Sequence, residues 1–269
     1  VSDEVNKAKA AIDDAKKDSD VTTAKNNGVE KINNINVPDT SATKEAAKNA
    51  IDQAAKTKND AIDGSNLTDD EKAGLHKQVS DEVNKAKAAI DDAKKDADVT
   101  TAKNTGVEKI NNINVPTTSA TKSDAKAAID QATQTKDAAI DASNLTAEEK
   151  AALKKTVDAA GQKAKDAIDA ATKDADVNTA KNTGVGKINN INVPTTSATK
   201  DAAISAINTA LADKKTAING TNLTAEEKST LVGQAQKLAD DAIANINKAT
   251  TNDAVNTAKN TGVETINNM

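Results

Sequence analysis

Apolar residues recur along this chain at steps of three and four, which is the period of one face of an α-helix. Between Thr43 and Ile62 this pattern predicts a first helix, and from Leu67 to about Lys95 it predicts a second. From Val79 onward the second series has heptad spacing, which is typical of helices packed in a left-handed bundle. A third helix follows, with one apolar face formed by Val99, Ala102, Gly106, Ile110 and Ile113. No run alternates with period two, so we predict an all-α fold with more than about two thirds of its residues in helices.

Short polar signals predict where these helices begin. Ser41 or Thr43 can cap the first helix with its hydroxyl group. Thr68 followed by Glu71 forms a capping box, in which the two residues satisfy two backbone amides at the start of the second helix. The segment Asp96-Ala97-Asp98 predicts an N-cap for the third helix.

Other signals predict where the helices end. The first helix breaks at Gly64-Ser65-Asn66. Val115-Pro116 ends the third helix, because the residue before a proline is pushed to an extended conformation. Each unit therefore consists of three helices followed by a short extended link.

The whole pattern returns at a fixed interval, which indicates a tandem array. Successive copies of one glycine and one proline keep the same spacing throughout, at Gly28, Gly106, Gly184 and Gly262 and at Pro38, Pro116 and Pro194. We predict a truncated repeat at 1–38, holding the second half of helix two and helix three. Full three-helix repeats follow at 39–116 and 117–194, and a three-helix repeat at 195–269 ends at its third helix. The array is expected to form an elongated rod of three-helix bundles.

Two features of the units predict how the helices pack. Gly106 lies within the apolar face of the third helix, where glycine costs about 1 kcal/mol relative to alanine. Its presence in every copy therefore predicts a close crossing with another helix. In the last unit Ile204 replaces a lysine and Leu211 replaces an alanine or a threonine, so we expect extra apolar volume there.

Composition narrows the possible partners. The chain has no Phe, Tyr, Trp or Cys, so each core is built from Ile, Leu, Val and Ala. The 36 basic and 41 acidic residues are interspersed and give a net charge of -5, without the basic stripe that nucleic acid requires. The apolar runs are too short to span a membrane. We expect a monomer whose partners are neighbouring repeats, with no nucleic acid and no membrane insertion. The chain opens in mid-repeat, so we expect it to be a segment of something longer.

Candidate chemical groups are few. His76 is the only histidine and has no second His or Cys at helical spacing, so we expect a surface or boundary position. Several acidic residues lie at the end of the second helix and the start of the third. This segment lacks the central glycine and the terminal glutamate of a calcium-binding loop, so we expect these acids to form a solvated face and a helix cap. These acids are Asp91, Asp92, Asp96 and Asp98. Three Asn-Leu-Thr triplets fit the glycosylation pattern, but their threonines are already explained as caps. The triplets begin at Asn66, Asn144 and Asn222. We predict no catalytic, cofactor-binding or metal-binding residue, no cofactor and no enzyme activity.

The order and spacing of four motifs resemble the tandem repeat called domain of unknown function 1542. These motifs are Ala-Ile-Asp-(Gln/Ala)-Ala, Leu-Thr-(Ala/Asp)-(Glu/Asp)-Glu-Lys, Ala-Lys-Asp-Ala-Ile-Asp-Ala at Ala164–Ala170, and Ala-Lys-Asn-Thr-Gly-Val. The resemblance covers the whole chain. That family occurs in very long cell-wall-anchored surface proteins of Gram-positive bacteria, including those similar to the extracellular-matrix-binding protein homologue. The resemblance therefore implies a secreted, cell-wall-anchored, surface-exposed array in proteins associated with adhesion and biofilm, and it implies no catalytic residue.

Two functions from different classes remain open. One is a structural stalk that sets the distance between a cell-wall anchor and a distal adhesive domain. The other is a multivalent adhesive module, each unit binding a host matrix or serum protein or a like array on another cell, as in intercellular aggregation and biofilm. The absence of Trp and Tyr disfavours tight binding by one unit, because aromatic residues dominate binding hot spots. Avidity across many weak sites compensates for that absence, so the second function stays open.

Overall fold

A computed structural model describes all residues from Val1 to Met269 and contains eleven α-helices and no strand. Helices hold 80% of the residues, which confirms the predicted all-α class. The helices are α1 Ser2–Asp13, α2 Asp18–Asn33, α3 Ala42–Asp63, α4 Asp69–Asp92, α5 Asp96–Asn111, α6 Ala120–Asp141, α7 Ala147–Ala170, α8 Asp174–Asn189, α9 Ala198–Asn219, α10 Ala225–Lys248 and α11 Asn252–Asn267.

The helix starts follow the predicted caps, with one exception. Ser41, Ser119 and Ser197 each accept a hydrogen bond from the backbone N–H three residues later, so the serine is the first cap and Thr43 is not.

The predicted N-cap at Asp96–Asp98 is wrong, because α5 already begins at Asp96 and its N-cap position is Lys95. Lys95 is extended and offers no side-chain cap, and α4 ends at Asp92, three residues before the predicted Lys95. Asp96 and Asp98 instead lie in the first turn of α5, where a carboxylate interacts favourably with the positive end of the helix dipole.

Contacts between residues divide the chain into two compact units. The first comprises Val1–Ala61 and Leu75–Asn114, and the second comprises Ile62–Gly74 and Val115–Met269. The second unit therefore contains α6 to α11 together with the turn that joins α3 to α4. The repeat boundaries at 38, 116 and 194 stay predictions from the period of the sequence.

Within the second unit, two separate cores form. Helices α6, α7 and α8 pack on one another in pairs, and α9, α10 and α11 do the same. The first core is centred on Ile129, Ile140, Ile168 and Ile188, all of them fully buried. The second includes Leu211, with Ile204 packed against it, as the extra apolar volume of the last unit predicted. Each set of three helices therefore buries its own apolar residues, and this burial is the main source of its stability.

In the first unit, α1 and α2 pack against each other, but α1 has no buried side chain. Ile12 is half-buried, whereas Ile90, its equivalent in α4, is fully buried. The difference follows from the sequence, because residues 1–38 carry no copy of the first helix to cover Ile12.

The recurring glycine of the third helix lies at a close helix crossing, which confirms the prediction made from Gly106. A Cβ atom added to Gly106 would lie 2.5 Å from Ala86 Cβ and 2.8 Å from Ile51 Cδ1. An added Cβ at Gly262 would meet the equivalent atoms of Ala242 and Ile207 at 2.5 and 2.7 Å. Real Cβ atoms do not approach other atoms so closely, so glycine lets the third helix approach the second.

One lysine of each first helix caps the C-terminal end of the third helix. Lys136 Nζ in α6 donates to the carbonyl oxygens of Asn189 and Ile191, both at 2.9 Å. Lys58 and Lys214 make the equivalent pairs of bonds in the other complete sets of helices. The ammonium group satisfies two carbonyls that have no partner within the helix.

We expect Lys136→Met to lower the free energy of unfolding by about 1–2 kcal/mol, because methionine keeps the apolar stem but leaves both carbonyls without their charged donor. The measurement is urea unfolding of the full chain, together with hydrogen exchange in the last turn of α8. The matched control is Lys155→Met on the exposed face of α7, which is expected to change stability by less than about 0.5 kcal/mol. Equal effects of the two substitutions would contradict the capping role.

Candidate functional site

The candidate chemical residues of the sequence do not converge. His76 is half-buried, and its Nδ1 lies 2.8 Å from Asn59 Oδ1, which places it at a helix–helix boundary as expected. Asp91 forms an ion pair with Lys48 at 2.6 Å. Asp92, Asp96 and Asp98 are exposed. The structure holds no group of three or more His, Asp or Glu side chains arranged to bind a metal ion.

The three Asn-Leu-Thr triplets lie in the turns that join the first and second helices. Asn66, Asn144 and Asn222 are exposed. Each triplet's threonine hydroxyl accepts a hydrogen bond from the capping-box glutamate N–H, at 3.2 to 3.4 Å. The threonines are therefore structural caps, as predicted. None of the helices is both long enough and apolar enough to cross a membrane.

The most elaborate polar arrangement of the chain lies where one capping box meets the following repeat. Two such places occur, both within the second unit. Junction A joins Thr68–Glu71 to Ser119–Thr121 and Thr172–Asp174. Junction B joins Thr146–Glu149 to Ser197–Thr199 and Thr250–Asn252, one period further along the chain.

At junction A, the two carboxylate oxygens of Glu71 accept hydrogen bonds from backbone amides of two different repeats. Oε2 accepts from the backbone N–H of Thr68 at 2.9 Å, which completes the capping box. Oε1 accepts from the backbone N–H of Thr121 at 3.2 Å, in the first turn of α6. Because the first N–H groups of a helix have no partner within it, one side chain here satisfies amides of two helices.

The same junction also caps the third helix of the following repeat. The backbone N–H of Asp174 donates to Asp70 Oδ2 at 2.9 Å, and Thr68 Oγ1 donates to Asp174 Oδ1 at 2.6 Å. In return, the N–H of Asp69 donates to the carbonyl oxygen of Thr172 at 2.7 Å. The carboxylate cap that the sequence predicted within the third helix is thus supplied by the preceding repeat.

Junction B repeats the contacts that backbone groups make at junction A. The N–H of Thr199 donates to Glu149 Oε1 at 3.1 Å, and the N–H of Asn252 donates to Glu148 Oε2 at 2.9 Å. The N–H of Ala147 donates to the carbonyl oxygen of Thr250 at 2.8 Å. The residue before each box is buried, since Leu67 is 7% and Leu145 is 5% exposed. Both junctions therefore combine a buried leucine with the same set of backbone bonds.

The hydrogen bonds hold the glutamates of both junctions in the charged form. Burial alone would raise the pKa of Glu149, but bonds from the Thr146 and Thr199 backbone amides and from the Ser197 hydroxyl lower it from 4.5 to about 2. The pKa of Glu71 is lowered by the equivalent bonds, again against the opposing effect of burial. At neutral pH each junction therefore contains a carboxylate that accepts from both repeats.

Sequence reasoning found the capping boxes and missed the junctions. The bonds join residues 50 and 104 positions apart in the chain, and no local pattern specifies such pairs. One signal was present: an acid precedes the glutamate of every box, at Asp70, Glu148 and Glu226. The capping box itself does not require an acid there.

The fold and the two junctions define a helical tandem-repeat protein whose repeats are joined through their capping boxes. The family model described as Domain of Unknown Function (DUF1542) matches residues 1–40, 43–118, 121–196 and 199–269. The chain therefore belongs to this family and contains four tandem copies of its repeat, as the motifs suggested. No curated protein and no solved structure matched the chain.

Proposed function

We propose that these repeats form a structural stalk of a bacterial cell-surface adhesin, which projects a distal domain away from the cell wall. Membership in the family supports a repeat module of a surface protein. The stalk function requires that the repeats stack as three-helix bundles along one direction to form a rod.

The observation that carries this proposal is the recurrence of one junction. Junctions A and B bury the same leucine and use the same backbone amides, although the side chains that accept from the third helix differ. A joint that is made in the same way each time sets a constant displacement between neighbours, as in other solenoid and repeat proteins. Length then grows in proportion to the number of repeats.

The stalk proposal predicts a large radius of gyration. Helix α7 has 24 residues, so one repeat is about 36 Å long at ~1.5 Å per residue. Three and a half repeats in line give a rod of about 125 Å with a radius of gyration near ~36 Å, whereas a compact chain of this length has about 18 Å. Small-angle X-ray scattering on the full chain measures this quantity. A radius near the compact value would falsify the stalk.

A matched variant strengthens this test. Deletion of residues 117–194 removes one period and leaves a junction of the same type, because the box at Thr68 then meets the repeat that begins at residue 195. The rod is expected to shorten by about 36 Å and the remaining helices to stay folded. Loss of helical circular dichroism beyond the deleted share would show that the repeats do not fold as a modular array.

One observation favours the adhesive alternative. A shallow groove between the second and third helices recurs in three repeats, with volumes of about 380, 420 and 460 Å³. Its lining is mostly small residues, such as Ala164 and Gly184, and it holds no aromatic anchor. Micromolar or tighter binding of the chain to an immobilised matrix protein, weakened when the groove between α7 and α8 is filled by Ala160→Gln, would support an adhesive function in addition to that of a spacer.

A further inference from the structure

The chain enters the repeat formed by α6, α7 and α8 at one end and leaves it at the other. Helix α6 begins at junction A, where the Thr121 N–H meets Glu71, and α8 also begins there, at Asp174. The next repeat begins at junction B, where the Thr199 N–H meets Glu149. Tension along the chain therefore pulls the start of α6 towards junction A and the end of α8 towards junction B.

This arrangement loads two neighbouring helices in shear. Helices α6 and α8 pack against each other, and both begin at junction A, so they run in the same direction. Tension draws α6 backwards and α8 forwards along their axes. The load therefore falls on the contacts between helices, and the contacts nearest the two pulled ends bear it first.

Both loaded ends are bonded to a neighbouring helix by a lysine. At the start of α6, Lys122 Nζ donates to the carbonyl oxygen of Asp169 at 2.8 Å. At the end of α8, Lys136 Nζ donates to the carbonyl oxygens of Asn189 and Ile191. Ile191 lies beyond the last helical residue, on the segment through which tension leaves the repeat. The Lys136 bonds are therefore the first contacts loaded at this end.

Each set of three helices has its own core, so one set opens without exposing the core of the next. The core of α6 to α8 shares no residue with the core of α9 to α11. Neither core contains an aromatic residue, so the burial that resists opening comes from aliphatic side chains alone. The contacts of a helical bundle are largely local in sequence, which favours rapid refolding when the tension falls.

We propose that each repeat is a reversible extension element, which opens under tension as one unit after the end of α8 is released from Lys136. This inference rests on the proposed stalk and adds a function to it, since extension limits the force that reaches a distal adhesive contact. Residues 120–189 number 70 and span ~250 Å when extended, at ~3.6 Å per residue, against about 36 Å when folded. Opening of one repeat is therefore expected to lengthen the chain by about 210 Å.

Single-molecule force spectroscopy of the full chain tests this proposal. The sequence has no cysteine, so a cysteine added at each terminus gives two unique attachment points. The parent is expected to lengthen in three steps of about 210 Å, one for each complete set of helices, and to show the steps again after relaxation. Smooth extension without steps, one step for all three sets, or steps that do not return after relaxation would overturn the proposal.

Lys136→Met tests whether the end of α8 bears the load. It is expected to shorten the lifetime of one step at constant force by roughly five- to thirtyfold and to leave the other two steps unchanged, because bonds broken in the transition state slow unfolding in full. Lys58→Met is expected to do the same in the α3–α5 set, where Lys58 makes the equivalent bonds, and the double variant is expected to show two short-lived steps. No change in any step, or an equal change in all three, would contradict this role of the lysine.

The matched control is Ile129→Val, which removes a methyl group from the buried middle of α6, away from both loaded ends. Both variants are also unfolded in urea without load. For the same loss of stability in urea, Ile129→Val is expected to shorten the step less than Lys136→Met does. Equal shortening would mean that the Lys136 bonds support the fold without bearing the load.

Scattering and force measurements separate this proposal from the stalk on which it rests. A radius of gyration near ~36 Å without steps would refute the extension element and leave a rigid stalk. A radius near the compact value together with three steps would refute the stalk, and with it the protection of a distal contact, although the repeats would still open singly.

Discussion

Gly184→Ala is expected to destabilise the chain by up to about 2 kcal/mol, although alanine is the better helix former. An added Cβ would lie 2.8 Å from Ile129 Cδ1 and closer still to Ala164 Cβ, so α7 and α8 would have to move apart. Overpacking of this kind costs roughly 1–3 kcal/mol, which exceeds the ~1 kcal/mol that alanine gains in helix propensity. The close crossing therefore determines the sign of the effect.

The same helix offers a matched control two residues away. An added Cβ at Gly186 meets no atom within 4 Å, and the other repeats carry glutamate at this position. Gly186→Ala is therefore expected to stabilise α8 by up to about 1 kcal/mol. Hydrogen exchange of the α8 amides in the full chain measures both effects locally, which avoids treating a multi-repeat protein as two-state.

A double mutant identifies the atom responsible. Ala164→Gly removes the Cβ that Gly184→Ala would meet, so the two substitutions together are expected to cost less than the sum of their separate effects. Additive effects would mean that the contact with Ala164 is not the source of the cost. Stabilisation by Gly184→Ala of the same size as that by Gly186→Ala would contradict the close crossing itself.

The close crossing at Gly184 could be predicted from the sequence because it depends on a local pattern. Helix positions, capping boxes and the glycine crossing are encoded by residues within a few positions of one another, and the four-fold repetition distinguishes them from chance. The cap of the third helix was placed wrongly for the same reason. A local reading assigns Asp96 to its own helix, whereas the equivalent Asp174 receives its cap from Asp70, 104 positions earlier in the chain.

Lys136 is a second residue whose role depends on a long-range contact that the local sequence does not specify. It occupies a position in the apolar face of its helix, where a charged residue contradicts the pattern. The structure explains the exception, since the ammonium group reaches the carbonyls of Asn189 and Ile191, which are 53 and 55 positions away in the chain. Such long-range bonds depend on how helices pack, and no periodicity in the sequence records them.

Glu149→Gln is expected to weaken junction B by about 1–2 kcal/mol at neutral pH and to have no effect near pH 2. Glutamine keeps the length of the side chain and its place in the capping box. Its amide group, however, has only one acceptor oxygen, while two backbone amides, those of Thr146 and Thr199, point at the carboxylate. One N–H is therefore left facing another donor, which costs about 1–3 kcal/mol when buried and less at this half-exposed site.

The pH dependence follows from the lowered pKa of Glu149. Its pKa falls from 4.5 in the unfolded chain to about 2 in the folded chain. The junction amides therefore stabilise the carboxylate more strongly than water stabilises it in the unfolded chain. The resulting stability is fully present above pH ~4.5 and is lost as the pH falls towards 2. The shift corresponds to about 3 kcal/mol at most, and solvent around the half-exposed side chain reduces this to roughly 1–2 kcal/mol.

The measured quantity is the difference in unfolding free energy between parent and variant at pH 7, 5 and 3, because many other carboxylates titrate in both proteins and cancel in the difference. Hydrogen exchange at Thr199 and Asn252 locates the effect at junction B. Glu227→Gln is the control, since Glu227 completes a capping box without accepting from a following repeat, and it is expected to cost less. A parent-minus-variant difference that persists unchanged at pH 3, or an equal cost for Glu227→Gln, would show that the inter-repeat bond does not stabilise the junction.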